Sequence, residues 1–121
     1  MLTYKGMETI GKYKDREELE VTVSDGHGLI EILGRLDFLP TFRYEKFRTE
    51  YKRSGEEGVA MLDETPIGVY LELEGAPDWI DRSAHRLGFT ETDYNTASYG
   101  GLYAAYCRKH GLPITNMTFG S

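Results

Sequence analysis

Residues 42–74 hold three successive extended runs, 42–51, 59–63 and 67–74, in each of which apolar and polar side chains alternate over part of the length. Side chains two apart on a strand point the same way, so this alternation demands a sheet with two unlike faces. Lys46, Arg48 and Glu50 share one side, which Phe42 and Tyr44 extend. Gly68, Tyr70, Glu72 and Glu74 share a side opposite Ile67, Val69, Leu71 and Leu73. Ser54 to Gly58 reads as a hairpin loop and Glu64-Thr65-Pro66 as a tighter turn. Two further extended runs, 2–5 and 17–23, precede this block. In the second, Arg16, Glu18, Glu20 and Thr22 lie opposite Leu19, Val21 and Val23. With the strands in register, Lys5 and Asp63 join the charged side.

Three helices interrupt or follow the strands. Asp25 suits the cap of a helix carrying Leu29, Ile32, Leu33 and Leu36 on one face. Pro77 and Asp78 suit the first turn of a second helix, with Ile80, Ala84 and Leu87 inward and Gly88 at its end. Ser98 caps a third, running through Leu102 and Tyr106 to His110-Gly111. Residues 114–119 read as a short edge strand, and Trp79 as core. The fold class is α+β: a mainly antiparallel, curved sheet with an apolar face under about three helices and a face dense in both charge signs.

The 121 residues suit one domain. The net charge of −6 argues against a nucleic-acid partner, which calls for a basic surface. No apolar run reaches the roughly 20 residues that span a bilayer. The polar first residues hold no secretory segment and the single Cys107 forms no internal disulfide, so the expected location is the cytoplasm.

A doubly charged sheet face has two readings. The ordinary one is solvated surface, on which cross-strand pairs contribute only about 0–1 kcal/mol each. The sharper one is a site for a divalent metal and a polyphosphate. Glu72 and Glu74 offer paired hard oxygens for Mg²⁺ or Mn²⁺, with Asp63 as a third. Lys46 and Arg48 offer cations, and Arg can grip a phosphate through two bonds.

The run Phe42-Arg-Tyr-Glu-Lys46-Phe-Arg48, followed by Leu62-Asp63-Glu64-Thr-Pro-Ile-Gly68-Val-Tyr-Leu71-Glu72-Leu73-Glu74-Gly75, resembles the CYTH family. That group includes the class IV adenylate cyclases and thiamine triphosphatases, within the triphosphate tunnel metalloenzymes. Leu2-Thr-Tyr-Lys5-Gly6, Arg16-Glu-Glu-Leu-Glu20, Ala84 to Phe89, Ser98-Tyr99 and Pro113 to Phe119 extend the likeness over nearly the whole chain. The resemblance implies a single CYTH-like domain over residues 1–121 and a charged tunnel inside an eight-stranded antiparallel barrel. It implies phosphate contacts from Lys5, Lys46 and Arg48, metal-side carboxylates from Asp63, Glu72 and Glu74, and tunnel-lining roles for Arg16, Glu18 and Glu20. The implied cofactor is Mg²⁺ or Mn²⁺. The implied substrate is a nucleoside or organic triphosphate, or tripolyphosphate, consumed by hydrolysis or by cyclisation.

The chain departs from the family at its start. The E-x-E-x-K motif and the arginine pair that precede the T-Y-K strand are not in it. Five strands do not close an eight-stranded tunnel, so the expectation is the C-terminal part of such a barrel, completed by a homodimer. Two other readings stay open: a non-catalytic module that binds nucleotide or polyphosphate, and a truncated, inactive structural dimer. His27, His85 and His110 lack the spacing of a zinc site or a triad. Cys107, Tyr99, Tyr103 and Tyr106 read as helix packing.

Overall fold

The computed structural model describes residues 1–7, 11–13 and 15–120. They form two units, Met1–Thr41 and Phe42–Ser121.

In the first unit, β1 (Leu2–Lys5) pairs antiparallel with β2 (Glu18–Val21), setting Lys5 opposite Glu18 and Thr3 opposite Glu20. Gly6 N–H donates to Glu17 O and carries the pairing one step further. Helix α1 (Gly26–Arg35) starts where Asp25 accepts a hydrogen bond from the Gly28 N–H at 2.9 Å, as the sequence implies. Its packing differs from expectation. None of its residues is buried, and Ile32 and Leu36 are about three-fifths exposed. Capping and periodicity make the helix locally, but they do not supply a surface to cover it.

In the second unit, β3 (Phe47–Lys52), β4 (Val59–Thr65) and β5 (Gly68–Glu74) form an antiparallel meander in that order. The β4–β5 turn is residues 66–67, slightly later than expected. Pro66 presets the turn, the Thr65 hydroxyl accepts from Ile67 N–H and donates to Gly68 O, and Gly68 takes a positive φ of 141°. The β3–β4 loop contains Gly55 at φ 81°.

Two expectations about this sheet are corrected. The run from 42 is not one strand. Residues 43–45 pair instead with the C-terminal tail: Met117 N–H donates to Arg43 O, Glu45 N–H to Met117 O, and Tyr44 bridges Met117 in parallel. The tail is correspondingly one isolated bridge and not a strand. Burial is also inverted. Cross-strand register puts Arg48, Asp63 and Tyr70 on one side, with Glu50, Met61 and Glu72 beside them. Met61, Asp63 and Thr65, all on that charged side, are the buried residues of β4, whereas Phe47, Tyr51 and Val69 on the other side are more than half exposed.

Helix α2 (Pro77–Arg86) packs on β5, buries Ala84 and half-buries Ile80, and ends with Gly88 at φ 87°. Leu87, expected inward, is more than half exposed. Trp79 is half-buried; its indole lies across Gly58 and Gly75 and donates to Glu56 Oε2 at 2.9 Å. A short 3-10 turn (Glu91–Asp93) leads to α3 (Tyr99–His110), which Ser98 caps by accepting from Gly101 N–H. Gly111, left-handed at φ 67°, closes it. The architecture is α+β with two antiparallel sheets and three helices, and the described residues form no closed barrel.

Candidate functional site

Four segments of the second unit meet around one carboxylate. Asp63 lies in the middle of β4, directly opposite Arg48 of β3, so their side chains emerge on the same face. Arg48 Nε donates to Asp63 Oδ1 and Nη2 to Oδ2, both at 2.7 Å. The same Nη2 donates to Glu72 Oε2 of β5, also at 2.7 Å. Lys46, two residues earlier on the chain, brings Nζ to 3.6 Å from Asp63 Oδ2. From α3, Tyr99 donates its hydroxyl to the same oxygen at 2.5 Å.

Exposure grades this cluster. The Asp63 side chain is 0% exposed, those of Lys46 and Arg48 are 21% and 29%, and that of Glu72 is 50%. Its floor is therefore sealed and its cationic rim is open. The formal charges of Lys46 and Arg48 (+2) cancel those of Asp63 and Glu72 (−2). Arg48 Nη1 has no hydrogen bond among the described residues.

Proton affinities follow the geometry. Burial pushes the Asp63 carboxyl up, but the bonds from Arg48 and Tyr99 and the nearby Lys46 charge outweigh it, and Asp63 titrates at about 2. Burial and the Arg48 charge lower the Lys46 ammonium below its ordinary value, against the opposing pull of Asp63 and Glu72. Burial, then the bond to Asp63, raises the Tyr99 phenol. The bond to Asp63 raises the Arg48 guanidinium further, keeping it charged.

Aromatic rings flank the cations. Lys46 Nζ stands 5.0 Å from the Tyr99 ring centre and 5.6 Å from that of Tyr44, within cation–π range. Tyr44 and Tyr99 lie 5.5 Å apart, Tyr70 meets Tyr99 edge-on at 5.7 Å, and Phe42 stacks on Tyr44 at 5.7 Å.

Of the residues singled out from sequence, Lys46, Arg48, Asp63 and Glu72 come together here. Glu74 is exposed at the end of β5, opposite Val59. The trio Asp63, Glu72 and Glu74 does not assemble: among the described residues no three His, Cys, Asp or Glu side chains are placed to hold a metal ion. Both Asp63 oxygens already accept from Arg48, and Oδ2 accepts from Tyr99 as well. A cation there would have to displace three charged or hydroxyl donors from a buried pair of oxygens. The three carboxylates as placed do not fit a metal ion as one set.

Lys5, Arg16, Glu18 and Glu20 belong to the first unit. Glu18 Oε1 lies 4.0 Å from Lys5 Nζ and 3.9 Å from Arg16 Nε; Lys5 and Glu18 are about half exposed, and such an exposed pair contributes about 0–1 kcal/mol. Glu20 sits two residues further along β2, opposite Thr3.

Tyr99 and the ring row escaped the sequence reading as parts of a site. The available signal was parity: Phe42 and Tyr44 extend the side that carries Lys46 and Arg48. For Tyr99 it was position, since a residue directly after a Ser cap is fixed at a helix start.

A family model described as CYTH domain matches residues 1–87. No curated protein and no solved structure matches. The matched segment contains every charged residue named above, and Tyr99 lies beyond it.

Proposed function

This chain belongs to the CYTH domain family, and on that premise we propose that it binds a triphosphate-bearing small molecule through Lys46 and Arg48. The observation that carries this reading is the pair of partly exposed cations organised by one buried, ionised carboxylate. Asp63 fixes the guanidinium by two bonds, which leaves the Nη1 edge of Arg48 for phosphate oxygens. Lys46 adds a compact charge at the same rim. Such preset cations lower the ordering cost of holding a polyanion. Within the first unit, the family pattern assigns Lys5 to phosphate contact and Arg16, Glu18 and Glu20 to tunnel lining.

A divalent ion, Mg²⁺ or Mn²⁺, fits the family, and the carboxylates left to face it are Glu72 and Glu74. When bound, such an ion would neutralise phosphate charge. Asp63 serves the cations. The activity we assign is phosphoryl chemistry on a nucleoside or organic triphosphate or on tripolyphosphate, in the cytoplasm. A homodimer would cover the open edges of the β3–β4–β5 sheet.

The second reading is a non-catalytic nucleotide or polyphosphate module. The Arg48–Glu72 bond favours it, because that bond neutralises a carboxylate that turnover would require.

Calorimetric titration of tripolyphosphate, with and without Mg²⁺, tests both. Micromolar binding that weakens at least tenfold in Lys46→Ala is expected. Undetectable binding, or binding indifferent to Lys46, overturns the site. Phosphate release or cyclic-nucleotide formation in parallel assays separates enzyme from module.

A further inference from the structure

The aromatic row beside Lys46 carries an inference about what the triphosphate is attached to, and it rests on the triphosphate reading above. We propose that Tyr44 is the stacking platform for a flat aromatic ring on the ligand. The preferred ligand is then an organic triphosphate with a nucleobase-like heterocycle, not inorganic tripolyphosphate.

Three observations converge on Tyr44. The first is its exposure. Phe42, Tyr70, Tyr99 and Tyr103 are half-buried, whereas Tyr44 is 39% exposed. Phe42 stacks on Tyr44 and is itself backed by Tyr103 at 5.9 Å, and Tyr99 lies against Tyr44 from the helix side. Of these rings Tyr44 is the most exposed, and Tyr99 alone among them stands nearer to Lys46.

The second is distance. Lys46 Nζ is 5.6 Å from the Tyr44 ring centre. A phosphate held by Lys46 therefore leaves the organic end of the same molecule within a few bonds of that ring. Tripolyphosphate has nothing to place there.

The third is preorganisation. The backbone on both sides of Tyr44 is pinned by the tail: Met117 N–H donates to Arg43 O, and Glu45 N–H to Met117 O. The Asn116 side chain also accepts from Arg43 N–H at 2.9 Å. Met117, which makes this clamp, is 1% exposed. The ring is thus held in place before any ligand arrives, which lowers the cost of stacking on it. Tail residues 116–117 and the rings of Tyr99 and Tyr103 all lie outside the segment that matches the family.

The test compares ATP, ribose 5-triphosphate and tripolyphosphate by calorimetry at one fixed Mg²⁺ concentration on the unaltered full chain. Stacking predicts that ATP binds about tenfold or more tightly than either of the ligands that lack a base. Tyr44→Ala should bring the ratio of ATP to tripolyphosphate affinity down to about one, and Tyr44→Phe should keep the preference, because the ring face does the work. Equal affinity for the three ligands on the unaltered protein overturns the platform and leaves the triphosphate site standing. Parallel loss of ATP and tripolyphosphate binding in Tyr44→Ala overturns it too, since Tyr44 would then be acting on the cations. Failure of all three ligands to bind the unaltered protein removes the underlying reading, and the platform with it.

Discussion

The Tyr99 hydroxyl donates to Oδ2 of Asp63, thirty-six positions earlier in the chain. Helix α3 is thereby tied to the charged side of the β-sheet, the side expected to stay open. Tyr99→Phe keeps the ring against Tyr44 and Tyr70 but withdraws a donor from a buried carboxylate. The expected cost is about 1–3 kcal/mol, read as a lower urea midpoint at unchanged slope. An unchanged midpoint would mean that this bond does not hold the helix down.

Asp63 makes stability depend on acid. Its folded carboxyl is held down to about 2, below its ordinary value of 3.8. A carboxylate with a depressed folded value contributes stability that is complete above the unfolded value. That contribution is lost as pH falls through the folded one, here between about pH 4 and pH 2, and the shift corresponds to about 2 kcal/mol. Asp63→Asn should lose that acid-dependent share and be less stable at neutral pH. Unfolding midpoints of both proteins at pH 7, 4 and 3 check it. An identical acid slope in the two would contradict the assignment.

Lys46 and Arg48 separate under mutation even though both serve the rim. Arg48→Ala strips two bonds from a buried carboxylate and should destabilise the fold by about 3 kcal/mol or more. Lys46→Ala removes a longer 3.6 Å contact and should cost about 1 kcal/mol, so its loss of phosphate affinity reads cleanly. Thermal unfolding of both variants beside tripolyphosphate titrations decides the matter. Equal destabilisation would show that the bidentate geometry carries no special weight.

If a phosphate binds Arg48 as proposed, Glu72 would compete with it. Glu72→Gln removes a negative charge and weakens the 2.7 Å bond to Nη2, so tripolyphosphate alone should bind about threefold to tenfold more tightly. Any enhancement by Mg²⁺ should shrink in the same variant. Calorimetry at several Mg²⁺ concentrations reads both effects. Weaker metal-free binding would show that Glu72 supports the site and does not compete in it.

The Trp79 indole lies over the two glycines, Gly58 and Gly75, that allow it to do so. A Cβ added at Gly58 would come within 2.2 Å of the ring, where no side chain fits without displacing it. Gly58→Ala should therefore cost about 2–3 kcal/mol and shift tryptophan fluorescence toward that of exposed indole. Gly55→Ala meets no neighbouring atom, though its positive φ still carries a conformational cost, and it should keep the native fluorescence. Native emission from both variants would refute the stacked arrangement.

What could be read from sequence was what neighbours in sequence decide. Asp25, Ser98, Gly88 and Gly111 mark helix ends through bonds and angles set within a few residues, and they stand where the sequence put them. Arg48, Asp63 and Glu72 share a face because strand parity and short turns fix it. Residues 43–45 were misread as strand because their partner, Met117, lies more than seventy positions away and leaves no local mark. The same holds for Tyr99 and Asp63. Ile32 and Leu36 share an apolar helix face by periodicity, yet both are exposed, because periodicity states which side of a helix is apolar and not what covers it.

The β3–β4–β5 meander has a kinetic consequence. Its loops, residues 53–58 and 66–67, are short, and closing a short loop costs little chain entropy. Arg48, Asp63 and Glu72 can therefore find one another early in folding, before longer-range contacts form. Tyr99 and the Met117 clamp require much longer closures and arrive afterwards. The ion pair is then the template on which the aromatic row condenses, and slowing the last helix should delay the rings without disturbing the charges beneath them.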